Sequence, residues 1–168
     1  MAAEAWDGEL TAALRQEFGD SLEKSASYLG QRFLVVAPQA VVSLIRHLKA
    51  QESFDMLIDL TAVDYPKRDR RFELIYEIYS FSRNERLRVK ANLADGEPAQ
   101  SLTGVHPGAN WLEREVFDMF GIRFEGHPGL KRILLPDDWT GHPLRKEHSI
   151  IGMDNDWVSR NLGIDSGQ

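Results

Sequence analysis

The sequence predicts an α+β fold: a mixed or antiparallel sheet flanked by helices, followed by a long extended C-terminal arm. Three observations carry that prediction. Apolar residues recur every three to four positions in three short segments. Between the second and third of these, the period changes to two over three successive runs. After Gly121 the chain is dense in breakers, with Gly126, Pro128, Gly129, Pro136, Gly141 and Pro143 leaving little room for regular structure. The expected division is an α+β domain over residues 1–125 and an extended arm over 126–168.

Taken in order, Leu10, Leu14 and Phe18 recur every four residues and predict a short amphipathic helix starting near Asp7. Arg32–Ala37, RFLVVA, is a short apolar strand. Pro38 suits the first turn of a second helix, whose apolar stripe is Val41, Leu44, Ile45 and Leu48. Met56–Val63, Arg71–Phe81 and Leu87–Leu93 then read as strands. Phe72, Leu74, Tyr76 and Ile78 share one face of the second, Glu73 and Glu77 the other. A hairpin through Ser82–Glu85 would set these acids opposite Arg88 and Lys90, in cross-strand pairs of roughly 0.2–1 kcal/mol each. Asp95-Gly96-Glu97-Pro98 breaks the pattern, and a third helix is expected within Gly108–Phe120, closed by Gly121. An arm as long as the one that follows either wraps its own domain or lies on a partner.

Composition narrows the chemistry. The chain has 168 residues, 42% of them hydrophobic, enough for one domain with one substantial core. A net charge of −6 argues against non-specific nucleic-acid binding. The absence of cysteine removes disulfides, thiolate metal sites, Cys nucleophiles and ordinary iron–sulfur ligation, and fits a reducing compartment. The N-terminal residues have no basic start or apolar run of signal-peptide type, and no apolar stretch approaches the roughly 20 residues of a membrane helix. A soluble protein is expected.

The third helix and the arm hold the candidate functional residues. Leu112, Val116, Met119 and Phe120 form an apolar stripe, with Arg114 and Asp118 on the far side as an exposed i, i+4 pair. Glu113 falls at the edge of that stripe, where a carboxylate needs a partner or a raised pKa. It reads either as a general acid or proton-relay group, or as a structural group: a capping box with Asn110, or a partner for an arginine of the arm. His106, His127 and His142 each precede a proline, so they are loop histidines, and with His148 their spacing matches no common zinc pattern. Asp137-Asp138 lies in a turn-forming Pro-Asp-Asp-Trp run without the acidic loop that calcium sites use. Arg145-Lys146 suits an acidic partner surface better than a phosphate. No Gly-rich phosphate loop, dinucleotide fingerprint or nucleophile elbow is present. These residues assign no catalytic, cofactor or metal site.

The run WLEREVFDMFGIRFEGHPGLKRILLPDDWTGHPLRKEH, Trp111–His148, closely resembles the signature of the 30-kilodalton subunit family of respiratory NADH–quinone oxidoreductase (complex I). The matching positions are Glu113-Arg114-Glu115, Asp118, Met119-Phe120, His127, Lys131, Ile133-Leu134 and the closing GHPLRK, which holds His142, Pro143, Arg145 and Lys146. The segments DLTAVDYP, RFELIY and LRVKA resemble the family in the expected order.

The resemblance implies a peripheral-arm subunit with no cofactor of its own. FMN and iron–sulfur clusters would sit in partner subunits, in a complex that passes electrons from NADH to quinone and translocates protons. It implies a clamp against the large quinone-site subunit and the iron–sulfur subunits, with the arm at the interface and no nucleic acid or membrane span. The chain would be held at the cytoplasmic side of the bacterial inner membrane through its partners. Glu113, Arg114 and Glu115 would form ion pairs fixing helix and arm. Two alternatives stand beside this: a homologous subunit of a membrane-bound hydrogenase or formate hydrogenlyase complex, and a free-standing enzyme using Glu113, His127 and His142 as acid–base or metal groups.

Overall fold

Two strand systems, each held by local sequence, meet at one seam. The computed structural model describes residues 2–148 and 155–163. Strand β1 (Glu4–Ala5) leads into helix α1 (Glu9–Phe18), where the Thr11 hydroxyl accepts from the Gly8 amide at 2.9 Å and donates to the Gly8 carbonyl at 3.0 Å, capping the first turn. A 3₁₀ turn leads to β2 (Leu22–Tyr28), which folds back on β3 (Gln31–Val36) through Leu29 and Gly30, both at positive φ. Pro38–Ala40 starts helix α2 (Val41–Gln51). Strands β4 (Met56–Asp64), β5 (Phe72–Ser80) and β6 (Glu85–Leu93) form an antiparallel meander.

The sheet order is β1-β2-β3-β6-β5-β4, and β3 pairs with β6 in parallel, so the sheet is mixed as expected. One face buries Leu34, Val36, Leu60, Leu74, Tyr76, Ile78, Leu87 and Val89 in a single core with Leu14, Leu44, Ile45, Leu48, Val116 and Phe120 of the helices. The opposite face carries the expected cross-strand pairs: Lys90 Nζ donates to Glu73 at 2.8 Å and Arg88 pairs with Glu77. A two-stranded parallel ribbon, β7 (Ala99–Gln100) with β8 (Phe124–Glu125), brackets helix α3 (Ala109–Phe120). A short helix α4 (Asn155–Leu162) lies in the stretch expected to be irregular. The other residues expected in the arm, 149–154 and 164–168, lie outside the described ones.

Candidate functional site

Helix α3 is the anchor of the signature. Gly121 closes it at φ 77°, a left-handed conformation that favours glycine. No side chain caps its start, so the expected capping box between Asn110 and Glu113 does not form. Glu113 is fully buried and points the other way, into the loop beneath the helix. Its carboxylate accepts from the Ser101 hydroxyl at 2.7 Å and from the Leu102 amide at 2.6 Å. Burial raises its pKa, while these two donors and His127 oppose the rise. Burial, with the Glu113 charge adding to it, also pushes the neighbouring Tyr76 phenol far up, so that it stays neutral. Each Glu113 oxygen holds a protein donor, and the effect is to pin the loop after β7 against the helix.

Asp118 departs most from expectation. It is fully buried, not an exposed partner of Arg114. One oxygen accepts from Arg132 Nη1 at 2.6 Å; the other accepts from the amides of Ile133, Leu134 and Leu135 at 2.8–3.0 Å. Burial works against the charge, but the three amides and Arg132 outweigh it and hold the pKa below the usual carboxylate range. Arg132 also donates to the carbonyls of Trp139 and Gly141, at 3.0 Å each. Arg114 reaches the carbonyls of Lys131 and Arg132 at 3.1 and 2.9 Å. Thus Arg114 and Asp118 both grip the arm rather than each other. Glu115 is exposed and makes no ion pair among the described residues. The expected ion pairs of Glu113, Arg114 and Glu115 are therefore replaced by hydrogen bonds to hydroxyl and backbone groups, and by none for Glu115.

Farther along, a second fastening holds the arm to the end of the sheet. Asp64, buried at the end of β4, accepts two hydrogen bonds from Arg71 at 2.7 Å each and one from the Lys146 amide at 2.8 Å. The Arg71 hydrogen bonds are the main reason its pKa lies below the carboxylate range. Arg71 also pairs with Glu147 and Asp95, and Arg145 with Asp95 and Glu147, while Arg145 Nε donates to the Phe120 carbonyl at 2.8 Å. In this way the GHPLRK motif is stitched to β4, to the loop after β6 and to the end of α3.

The histidines serve the same frame. His142, followed by half-buried Pro143, donates from Nδ1 to the Asp118 carbonyl at 2.9 Å, and its ring sits over Gly121. His127 donates from Nε2 to the Asn110 carbonyl at 3.1 Å and accepts the Gly129 amide at 3.0 Å. No group of three or more His, Cys, Asp or Glu that could hold a metal occurs among the described residues. Asp137 and Asp138 lie in a turn, and Asp138 accepts from Trp157 Nε1 of α4 at 2.8 Å. Lys131 and Lys146 are exposed. Sequence reasoning missed Ser101, Asp64, Arg71, Asp95 and Arg132. A signal existed for Asp64: its position in β4 repeats the two-residue period of Leu60 and Ala62, which places it on the buried face.

Comparison with known proteins places the chain in a family. The family model for the respiratory-chain NADH dehydrogenase 30 Kd subunit matches residues 34–153. An NADH-quinone oxidoreductase subunit of Geotalea uraniireducens (strain Rf4) is 40% identical over 157 residues, 93% of this chain and 96% of that protein. The same subunit of the oxidoreductase from Jannaschia sp. (strain CCS1) is 44% identical over 135 residues, 79% of this chain and 65% of that one. Among solved structures, a chain of the membrane-bound sulfane sulfur reductase (MBS), an archaeal respiratory membrane complex, shares the fold, with a TM-score of 0.75 over 93% of this chain and 91% of that chain at 22% identity. No described helix is long and apolar enough to cross a membrane. The chain belongs to the 30 Kd subunit family of the respiratory-chain NADH dehydrogenase.

Proposed function

We propose that this chain is a cofactor-free scaffold in the peripheral arm of an NADH–quinone oxidoreductase, supporting electron transfer from NADH through FMN and iron–sulfur clusters in partner subunits to quinone, coupled to proton translocation. The observation that carries this reading is the use of the signature carboxylates. Both oxygens of Glu113 and both of Asp118 are occupied by donors of the chain itself, so these groups act as fasteners for loop and arm. A catalytic acid or base needs an oxygen open to the proton it moves.

The role divides the chain into a domain over residues 1–125 and an arm over 126–168. The helix α3 and arm residues Glu113, Arg114, Glu115, Asp118, His127, Lys131, His142, Pro143, Arg145 and Lys146 shape the surface offered to the large quinone-site subunit and the iron–sulfur subunits. The chain sits at the cytoplasmic side of the membrane through those contacts. Gentle affinity purification from membranes tests the reading. The tagged chain brings down cluster-bearing and quinone-site subunits, and the chain itself carries no stoichiometric zinc or iron. Recovery of the chain alone, with a tightly bound transition metal, contradicts it.

A further inference from the structure

We propose that the tip of the β4–β5 hairpin, residues 65–70, is a cationic dock for an acidic segment of a partner protein. This rests on the reading above, that the arm end of the domain faces partner subunits. The tip reads Tyr65-Pro66-Lys67-Arg68-Asp69-Arg70, on a chain whose net charge is −6. Pro66 through Arg70 are exposed. The turn is closed by the Tyr65 amide donating to the Arg71 carbonyl and the Arg68 amide to the Tyr65 carbonyl, each at 2.9 Å, so the cations stand on a fixed frame.

Apart from exposed Asp69 within the tip itself, the neighbouring acids are already committed. Asp64 is held by Arg71 and the Lys146 amide, Asp95 and Glu147 by Arg71 and Arg145, and Glu97 by the Ala94 amide. Lys67 and Lys146 make no ion pair among the described residues. Lys146 belongs to this patch because its own amide bonds Asp64, the residue immediately before the loop, and its side chain is exposed. Arg68 rests 3.6 Å from the centre of the Tyr65 ring. A guanidinium stacked on an aromatic ring has already lost rotamer freedom and still offers its N–H edges to a carboxylate.

The chemistry favours a protein carboxylate over an anionic lipid. Surfaces that bind membranes combine cations with apolar anchors. Here Tyr65 is half-buried beneath Arg68, and the loop exposes no large apolar side chain.

Zero-length carbodiimide coupling of the intact complex in isolated membranes tests the dock, because it joins a lysine only to a carboxylate in direct contact. We expect Lys67 or Lys146 coupled to an Asp or Glu of another subunit, with the yield falling at about 0.5 M salt. We also expect Lys67→Glu/Arg68→Glu to lower the amount of intact complex by about threefold or more, while Arg46→Glu, an exposed cation on α2, leaves it unchanged. If the complex is intact, other lysines couple across subunits, and Lys67 and Lys146 do not, the dock is overturned and the scaffold reading stands. Binding of the purified chain to phosphatidylglycerol vesicles through Lys67 and Arg68 overturns it in favour of a membrane surface. A chain that enters no complex overturns both readings.

Discussion

Asp118→Ala removes the group that ties the first part of the arm to helix α3. The substitution leaves the Arg132 guanidinium without its carboxylate and three arm amides without their acceptor. Breaking one partner of a buried ion pair costs about 3–5 kcal/mol. The three amides add little to that figure, because Leu134 is 61% exposed and water reaches this segment once the arm lifts. The loss therefore appears first as release of the arm and only then as unfolding of the core. At about 1.4 kcal/mol per factor of ten, hydrogen exchange at the amides of Ile133, Leu134 and Leu135 accelerates by roughly 10²-fold to several thousand-fold. Exchange in β5 and β6 changes less. Asp118→Asn, which keeps one acceptor oxygen, falls between. Glu115→Ala on the exposed side of the same helix is the control and stays within about 0.5 kcal/mol. If Asp118→Ala exchanges and melts like Glu115→Ala, the carboxylate does not hold the arm.

Two further outcomes test the same frame. Gly121→Ala meets a left-handed φ of 77° and a His142 ring whose atoms lie 2.7 Å from the added Cβ, whereas Gly126→Ala, at φ 80° in open space, meets only the backbone penalty of about 1–2 kcal/mol. Thermal melts should place Gly121→Ala clearly below Gly126→Ala, and equal melting temperatures would remove the His142 contact from the account. His106 is buried with Nε2 unpartnered among the described residues, and burial first, then Lys49, lowers its pKa below the ordinary 6.5, with Asp55 opposing. A lowered histidine pKa means the unfolded chain takes up the proton first, so the stability His106 contributes is present above pH 6.5 and is lost as pH falls through the folded value. His106→Gln should therefore lose less stability than the wild type between pH 7.5 and pH 5.5 in denaturant titrations; equal losses would show that His106 is not the sensitive group.

What the sequence made legible follows from the range of the interactions. The meander β4–β5–β6 and the helices α2 and α3 were readable because their patterns are local: period two in FELIYEIY, period three to four in the stripe of Val116 and Phe120. Strand β2 escaped because LEKSASY offers only Leu22 and Ala26 as buried apolar residues, and because its turn uses Leu29-Gly30 in place of Asn-Gly. The site was half legible. The signature marked Asp118 and Arg145, but their partners lie far along the chain, 14 residues away at Arg132 and 50 at Asp95. Helix periodicity placed Asp118 outside the apolar stripe. Its burial comes from the arm folding over it, which no helical pattern encodes.

The central claim is that the signature carboxylates build the subunit rather than carry the chemistry, and Glu113 is where the two roles separate most cleanly. The measurement is NADH–quinone turnover of Glu113→Ala membranes divided by the amount of intact complex on a native gel. Loss of the acceptor for Ser101 and Leu102 should reduce the amount of complex, while turnover per assembled complex stays within about twofold of wild type. Wild-type assembly with turnover lowered about 100-fold or more would contradict the account and make Glu113 a proton-transfer group.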